Sequence, residues 1–289
     1  MNCKICNNSC KKVYSELKYM GKYTSSLYQC NNCDFLQLDK VIWLQEAYRE
    51  SISITDTGIV ARNIDLSRKL LVLLSSISSK SNTNYFVLMF FRLFFKKILS
   101  RKLTRFNGKI LDFGGGYGLL VRILRDFGLD AYWTDPYSIN LFSKGFEGSL
   151  KNSYNCIVSF EVLEHLLEPN LHFENILKDR NPQFFIFSTQ LYGEQVPEQD
   201  WWYFSFLTGQ HISFYNQKTL AYIARKFDYQ SYSINQNFHI FSKVKLNINL
   251  IKFMVERADI FYRYAQDKYE SLTWSDYNYV LERLKNESK

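Results

Sequence analysis

Between Asn107 and Lys245, short apolar runs alternate with segments of helical period, and few architectures accept that order. Residues 109–113 read as a strand, followed by a cluster of glycines and a helix over 119–127. Residues 131–134 read as a second strand. A third, 155–160, runs into a helix through Leu163, Leu166 and Leu167, and 184–188 is a fourth. Strands joined through helices pair in parallel by right-handed crossovers, with helices covering both faces of the sheet. Asn216 then suits the N-cap of a helix to Phe227, and 229–235 and 239–245 are late strand candidates. The expected fold class is α/β.

The first strand–helix junction is Ile110-Leu111-Asp112-Phe113-Gly114-Gly115-Gly116-Tyr117-Gly118. Glycines at 114, 116 and 118 let the backbone turn sharply and approach a ligand, and the helix beyond begins with unpaired N–H groups. Asp112 precedes the first glycine. Asp135 ends the second strand, where an α/β fold sets a carboxylate against ribose hydroxyls. The third strand leads into Ser159-Phe160-Glu161-Val162-Leu163-Glu164-His165-Leu166.

Taken together, LDFGGGYG, the strand-ending Asp135 and FEVLEHL resemble the class I S-adenosylmethionine (SAM)-dependent methyltransferases, over about half of the chain. The resemblance implies a Rossmann-like seven-stranded sheet, its seventh strand antiparallel, with helices on both faces. It implies that Gly114, Gly115, Gly116 and Gly118 hold the methionine part of SAM, with Asp112 at its amino group. By the same resemblance Asp135 takes the ribose, Phe160 and Glu161 flank the adenosine and methionine parts, and His165 is a structural helix residue. Asn155 stands where many relatives have Asp.

Five of the six cysteines fall within the first 40 residues. Cys3-x2-Cys6 and Cys30-x2-Cys33 form two matching pairs that can close a tetrahedral Zn2+ site, structural because no position is left open. Cys10 could replace Cys6, but only Cys6 makes two equal knuckles; Cys156 lies in a strand and reads as core. The first 20 residues are polar rather than an apolar leader, and no apolar run reaches the roughly 20 residues of a membrane span. The expectation is therefore a cytoplasmic protein, where thiols stay reduced. A small zinc-ribbon-like module ahead of a class I core resembles the zinc-containing sugar methyltransferases. These include C-methyltransferases of deoxy keto-sugar nucleotides and related enzymes of surface-glycan clusters.

Past the fourth strand comes an aromatic loop, Asp200-Trp201-Trp202-Tyr203-Phe204, and then Thr208-Gly209-Gln210-His211-Ile212-Ser213-Phe214-Tyr215. Methyl transfer requires the acceptor to be positioned and to lose a proton. A neutral histidine beyond the C-terminal end of a sheet strand suits that task. The zinc-containing C-methyltransferases carry a Tyr-His-Glu-His-Leu-Ser-Tyr-Phe-like segment here. His211 falls on their catalytic histidine, Gln210 replaces their glutamate, and Thr208 stands where they have a tyrosine. Gln210 cannot accept a proton, which leaves O-methylation open beside C-methylation. Trp201, Trp202 and Tyr203 could stack on a sugar ring or pack a lid.

The sequence divides into a zinc module (1–40), a helical linker with a basic amphipathic insertion (41–107), the methyltransferase core (108–245) and a helical tail (246–289). At 46% hydrophobic and 22% charged it is neither disordered nor disulfide-dense. The net charge of +8 is uneven: residues 1–109 carry 18 basic against 7 acidic side chains. The helix expected over 85–106 combines a phenylalanine face with Arg92, Lys96, Lys97, Arg101, Lys102 and Arg105. It suits cleft cover or a dimer contact more than peripheral membrane contact.

The function expected is methyl transfer from SAM to a nucleotide-linked or surface-glycan sugar, with His211 as base, in a monomer or homodimer. One alternative is an RNA methyltransferase using the zinc module and basic half on nucleic acid. Against it, there is no Asn-Pro-Pro-Tyr-like acceptor motif and no catalytic cysteine. The other is a non-catalytic scaffold, against which stand the intact glycine loop and Asp135.

Overall fold

A computed structural model describes residues 1–48, 56–78, 101–149 and 151–287. Its strands, in chain order, are β1 (Cys10–Tyr19), β2 (Tyr23–Cys30), β3 (Leu36–Leu38), β4 (Ile110–Phe113) and β5 (Ala131–Thr134). There follow β6 (Cys156–Ser159), β7 (Phe184–Ser188), β8 (Ser213–Phe214), β9 (Gln230–Ser233) and β10 (Phe238–Ser242). The chain forms two units, each from two stretches: Met1–Asp56 with Asn155–Lys245, and Thr57–Tyr154 with Leu246–Lys289.

The first unit holds two groups of strands. One is an antiparallel sheet in the order β1-β2-β3-β8, so the cysteine segment shares its sheet with residues more than 170 positions later. Met20 and Gly21 both take positive φ, the twist a tight hairpin between β1 and β2 demands. Behind the sheet Leu17, Tyr19, Leu27, Leu36, Leu38 and Trp43 bury against Tyr203, Phe204, Ile212 and Phe214. Trp43 donates its indole N–H to the Gly209 carbonyl at 2.8 Å. The other group runs β6-β7-β10-β9, with β6 and β7 parallel and β10 antiparallel to both of its neighbours. Continuous apolar runs suit strands covered on both faces, and every residue of β7 and β10 is buried. Phe185, Phe187 and Phe241 pack ring to ring, with Phe187 4.9 Å from each of the others.

The second unit pairs β4 and β5 in parallel, Ile110 opposite Ala131. The helix Ile59–Ile77 buries Leu66, Leu70, Leu71, Leu73 and Leu74. The tail helices Ile248–Val255 and Ala258–Gln266 pack on it. A third tail helix, Thr273–Glu287, brings Asp276 to Arg125 in a buried two-pronged ion pair of 2.7 and 2.8 Å. Arg122 joins Asp276 at 2.9 Å, and the Arg125 guanidinium lies 3.8 Å over the Phe146 ring.

The fold is α/β with a mixed sheet and helices, as expected, but details differ. Six strands of that fold form among the described residues, not seven. Along β5, one further parallel bridge forms among the described residues, Trp133 with Glu147, flanked by Gly145 and Gly148, which weaken a strand. The antiparallel strand is β10. The helix expected through Leu163, Leu166 and Leu167 is a single 3-10 turn, Leu163–His165, and a new helix starts at Pro169. Proline at the first helical position holds the preceding residue out of helical conformation, and Glu168 sits at φ −122°, ψ 73°. Of the helix expected over 85–106, residues 85–100 lie outside the described residues, and 101–106 are turn and irregular chain. Among the described residues, no helix is long and apolar enough to cross a membrane.

Candidate functional site

In the second unit the glycine loop closes over β4 and β5. The Gly114 N–H donates to the Thr134 carbonyl at 2.9 Å, which locks the loop to the end of β5. Gly118 begins the helix Leu119–Asp126 at φ 85°. A Cβ there would lie 2.5 Å from Ser143 Oγ and 2.7 Å from Asn140 Oδ1, so only glycine fits. A Cβ on Gly115 would come within 2.7 Å of Asp112 Oδ2, so that carboxylate oxygen lies against the loop. Over Gly116, by contrast, nothing lies within 4 Å of the same construction.

Asp135 is half-buried and serves as a hub for backbone amides. Its Oδ2 accepts from the Gly116 N–H at 2.9 Å, and Oδ1 accepts from Tyr137 and Ser138 at 2.8 and 2.9 Å. Asp112 is 2% exposed, and its Oδ2 has no hydrogen-bond partner among the described residues. Burial, reinforced by the Asp135 charge, pushes the Asp112 carboxyl up to about 7. A buried, orphaned anion is costly, and a cationic group brought to the loop would offset that cost. The residues therefore fit the aminoacyl end of a SAM-like cofactor.

In the first unit, Phe160 follows β6 and stacks on Phe238 at 5.7 Å. Glu161 follows at φ 55°, a left-handed conformation unusual for glutamate. The Ser188 hydroxyl holds it there, accepting from the Glu161 N–H at 2.7 Å and donating to its Oε1 at 2.6 Å.

The turn Leu163–His165 then meets the His211 segment. Ile212 N–H donates to the Glu164 carbonyl at 2.8 Å, Ser213 Oγ to the Leu166 carbonyl at 2.7 Å, and Tyr215 OH to the Leu163 carbonyl at 3.0 Å. His165 and His211 lie edge to face, 5.0 Å between ring centres. His165 Nδ1 donates to the Gln210 carbonyl at 3.0 Å and His211 Nδ1 to the Tyr203 carbonyl at 2.7 Å. Burial lowers both imidazoles, His211 to about 3, so both are neutral. Glu164, fully buried beside them, is pushed up to about 8 by burial and the Glu161 charge.

Gln210 touches the histidine pair through its carbonyl, while its amide group donates to the Ala47 carbonyl at 2.9 Å. Trp201, Tyr203 and Phe204 pack around Phe214, whereas Trp202 is exposed. From the sequence, Glu164 carries no expected site role and His165 a structural one. The usable signal was Glu-x-x-Glu-His, which sets two carboxylates and an imidazole on one short segment.

The four cysteine sulfurs Cys3, Cys6, Cys30 and Cys33 lie within 4.8 Å of one another; Cys10 is outside the set. Cys3 and Cys33 are 3.6 Å apart, and Cys6 and Cys30 3.3 Å. A tetrahedral tetrathiolate zinc requires sulfur separations of about 3.8 Å. Backbone N–H groups of Ile5, Asn32 and Cys33 point at the Cys3 and Cys30 sulfurs at 3.4 Å, as thiolate acceptors require. The Cys33 thiol, by bonding to Cys3, pulls Cys3 down to about 5. The residues fit a closed metal site.

A family profile described as a methyltransferase domain matches residues 88–234, half of the sequence. The chain belongs to the methyltransferase-domain family. No curated protein sequence matches this methyltransferase. Among solved structures it is similar to the methyltransferase domain of a bacterial Hen1 (18% identity, 47% of this chain and 91% of that one, TM-score 0.32). It is also similar to an O-methyltransferase family protein from Burkholderia thailandensis (13%, 71% and 68%, 0.38). A third is human N-acetylserotonin methyltransferase in complex with SAM (13%, 70% and 66%, 0.35).

Proposed function

We propose that this methyltransferase carries a methyl group from SAM to a sugar, nucleotide-linked or part of a surface glycan. The observation that carries the cofactor half of this reading is the orphaned carboxylate of Asp112 against the glycine loop. Gly114, Gly115, Gly116 and Gly118 would hold the methionine part, Asp112 its ammonium and Asp135 the ribose, with Phe160 and Glu161 as the flanking pair. Bound there, SAM supplies a methyl group already activated on a sulfonium.

What remains for the chain's own residues is to orient an acceptor atom and receive its proton. His211 is assigned to that end. Its Nδ1–H is fixed on the Tyr203 carbonyl, which leaves Nε2 with a lone pair. Such a weakly basic imidazole works best on an acceptor whose proton is itself acidified. Support for a sugar acceptor is the likeness of Gln210-His211-Ile212-Ser213-Phe214-Tyr215, together with the four-cysteine module, to the zinc-containing sugar enzymes. Zn2+ on Cys3, Cys6, Cys30 and Cys33 would be structural. Its sheet holds β8, and hence the His211 segment, through the pairs Leu36–Phe214 and Gln37–Ser213.

The test combines calorimetric titration with SAM and transfer of labelled methyl to nucleotide-sugar, glycan and RNA acceptors. Asp135→Ala should weaken SAM binding at least tenfold. His211→Asn should depress turnover and leave SAM binding intact. Methylated RNA with unlabelled sugars would overturn the acceptor assignment, and absence of SAM binding would overturn the whole reading.

A further inference from the structure

The cluster around Glu164 has a property that a proton acceptor alone does not require. Glu164 is fully buried, and neither carboxylate oxygen has a hydrogen-bond partner among the described residues. The hydroxyls of Tyr203 and Thr189 are its polar neighbours and favour its ionised form against burial; Tyr203 OH also accepts from the Gln190 N–H at 3.0 Å and lies 3.4 Å from Thr189 Oγ1. The turn Leu163–His165 faces the Glu164 carboxylate toward His165 Nε2, 4.0 Å away. Both imidazoles are oriented from behind. A carbonyl only accepts, so Nδ1 of His165 and of His211 must carry the proton, and each Nε2 carries a lone pair.

One donor atom from each of Glu164, His165 and His211 lies within 4.8 Å of the other two. Three such donors around one cation at about 2.1 Å would stand roughly 3 Å apart, a closure that small side-chain rotations supply. The buried side is the carboxylate, while both imidazoles are half-buried, so an ion and further oxygen ligands have an approach. Metal-bound histidines carry this kind of support, the distal N–H held on a backbone carbonyl.

We propose that Glu164, His165 and His211 form a second metal site, binding a divalent first-row cation through two imidazole nitrogens and one carboxylate, with positions left open for oxygen ligands. Its chemistry differs from the four-thiolate set: nitrogen and oxygen donors accept harder ions, whereas thiolates select softer ones. The site is read from one unit alone and stands whatever the acceptor is. It also changes what is asked of His211. A base works without a cation, whereas a ligand needs one.

The experiment titrates Mn2+ into the zinc-loaded full-length protein and follows the electron paramagnetic resonance signal of free and bound ion. Mn2+ has little affinity for thiolates, so the cysteine site stays out of the readout. The expected result is one ion per chain binding well below millimolar, with hyperfine coupling to imidazole nitrogen. Glu164→Gln and His211→Asn should each weaken it at least tenfold while circular dichroism stays native. Binding weaker than millimolar, or bound Mn2+ with no nitrogen coupling in the unmutated protein, overturns the site whether or not the variants fold. Unchanged affinity in folded variants overturns it as well.

Discussion

Replacing Asp112 with asparagine should make this protein more stable at alkaline pH and a poorer binder of its cofactor. The carboxylate is 2% exposed, its Oδ2 is unpartnered, and burial with the Asp135 charge raises it from 3.8 to about 7. Between those values the folded protein keeps a proton that the unfolded chain has released. Stability therefore falls as pH rises through that window, and the full penalty stands above pH 7. At about 1.4 kcal/mol per unit, the ionised carboxylate costs the fold at most about 4 kcal/mol. Asparagine keeps the shape and removes the charge, at a cost of about 1–3 kcal/mol for an amide that is also underbonded.

The quantity to measure is the difference between variant and parent in urea unfolding, at pH 4.5, 6 and 8. That difference should move in favour of the variant by about 3 kcal/mol across the range. Pairwise comparison cancels the titrating groups that do not interact with Asp112, Glu164 and the histidines among them. A difference that does not change with pH would refute the reasoning, because it would mean that Asp112 is solvated or paired. In parallel, SAM affinity should drop in the variant, since the orphaned anion is what the loop offers to a cation.

Asp276→Ala leaves the Arg125 guanidinium 5% exposed without its main partner, and should cost about 3–5 kcal/mol in urea or thermal unfolding. A loss within 1 kcal/mol would show that Asp130 and the Ala131 carbonyl suffice for the arginine. With zinc proposed on the four cysteines, a chelator should unfold the β1–β2–β3 sheet and speed amide exchange in residues 209–215, because β8 hydrogen-bonds to β3. Exchange confined to residues 1–40 would show that the His211 segment is held independently.

Local rules made much of this protein legible. The loop from Asp112 to Gly118 follows from backbone sterics, and the positive φ values at Gly114, Gly116 and Gly118 are those glycine alone adopts at low cost. Strands β4, β5, β6 and β7 lie where the apolar runs put them, and Asn216 caps its helix through the Thr219 N–H as its side chain suggests. Cys3, Cys6, Cys30 and Cys33 converge because a hairpin returns the chain on itself, bringing Cys10 opposite Cys30. The seven-stranded count was less legible: a strand edge needs pairing energy that the segment around Gly145 and Gly148 does not provide.

Spacing along the chain determined the glycine loop, the strand positions and the two cysteine pairs, since each depends on residues near in sequence. Only tertiary structure decided that Glu164 and His165 meet His211, more than 40 positions away. That meeting rests on a turn cut short before Pro169 and on two residues of β8 completing a sheet begun at Cys10. Pairings of this kind are chosen by what the whole core can bury, and no local pattern carries that information.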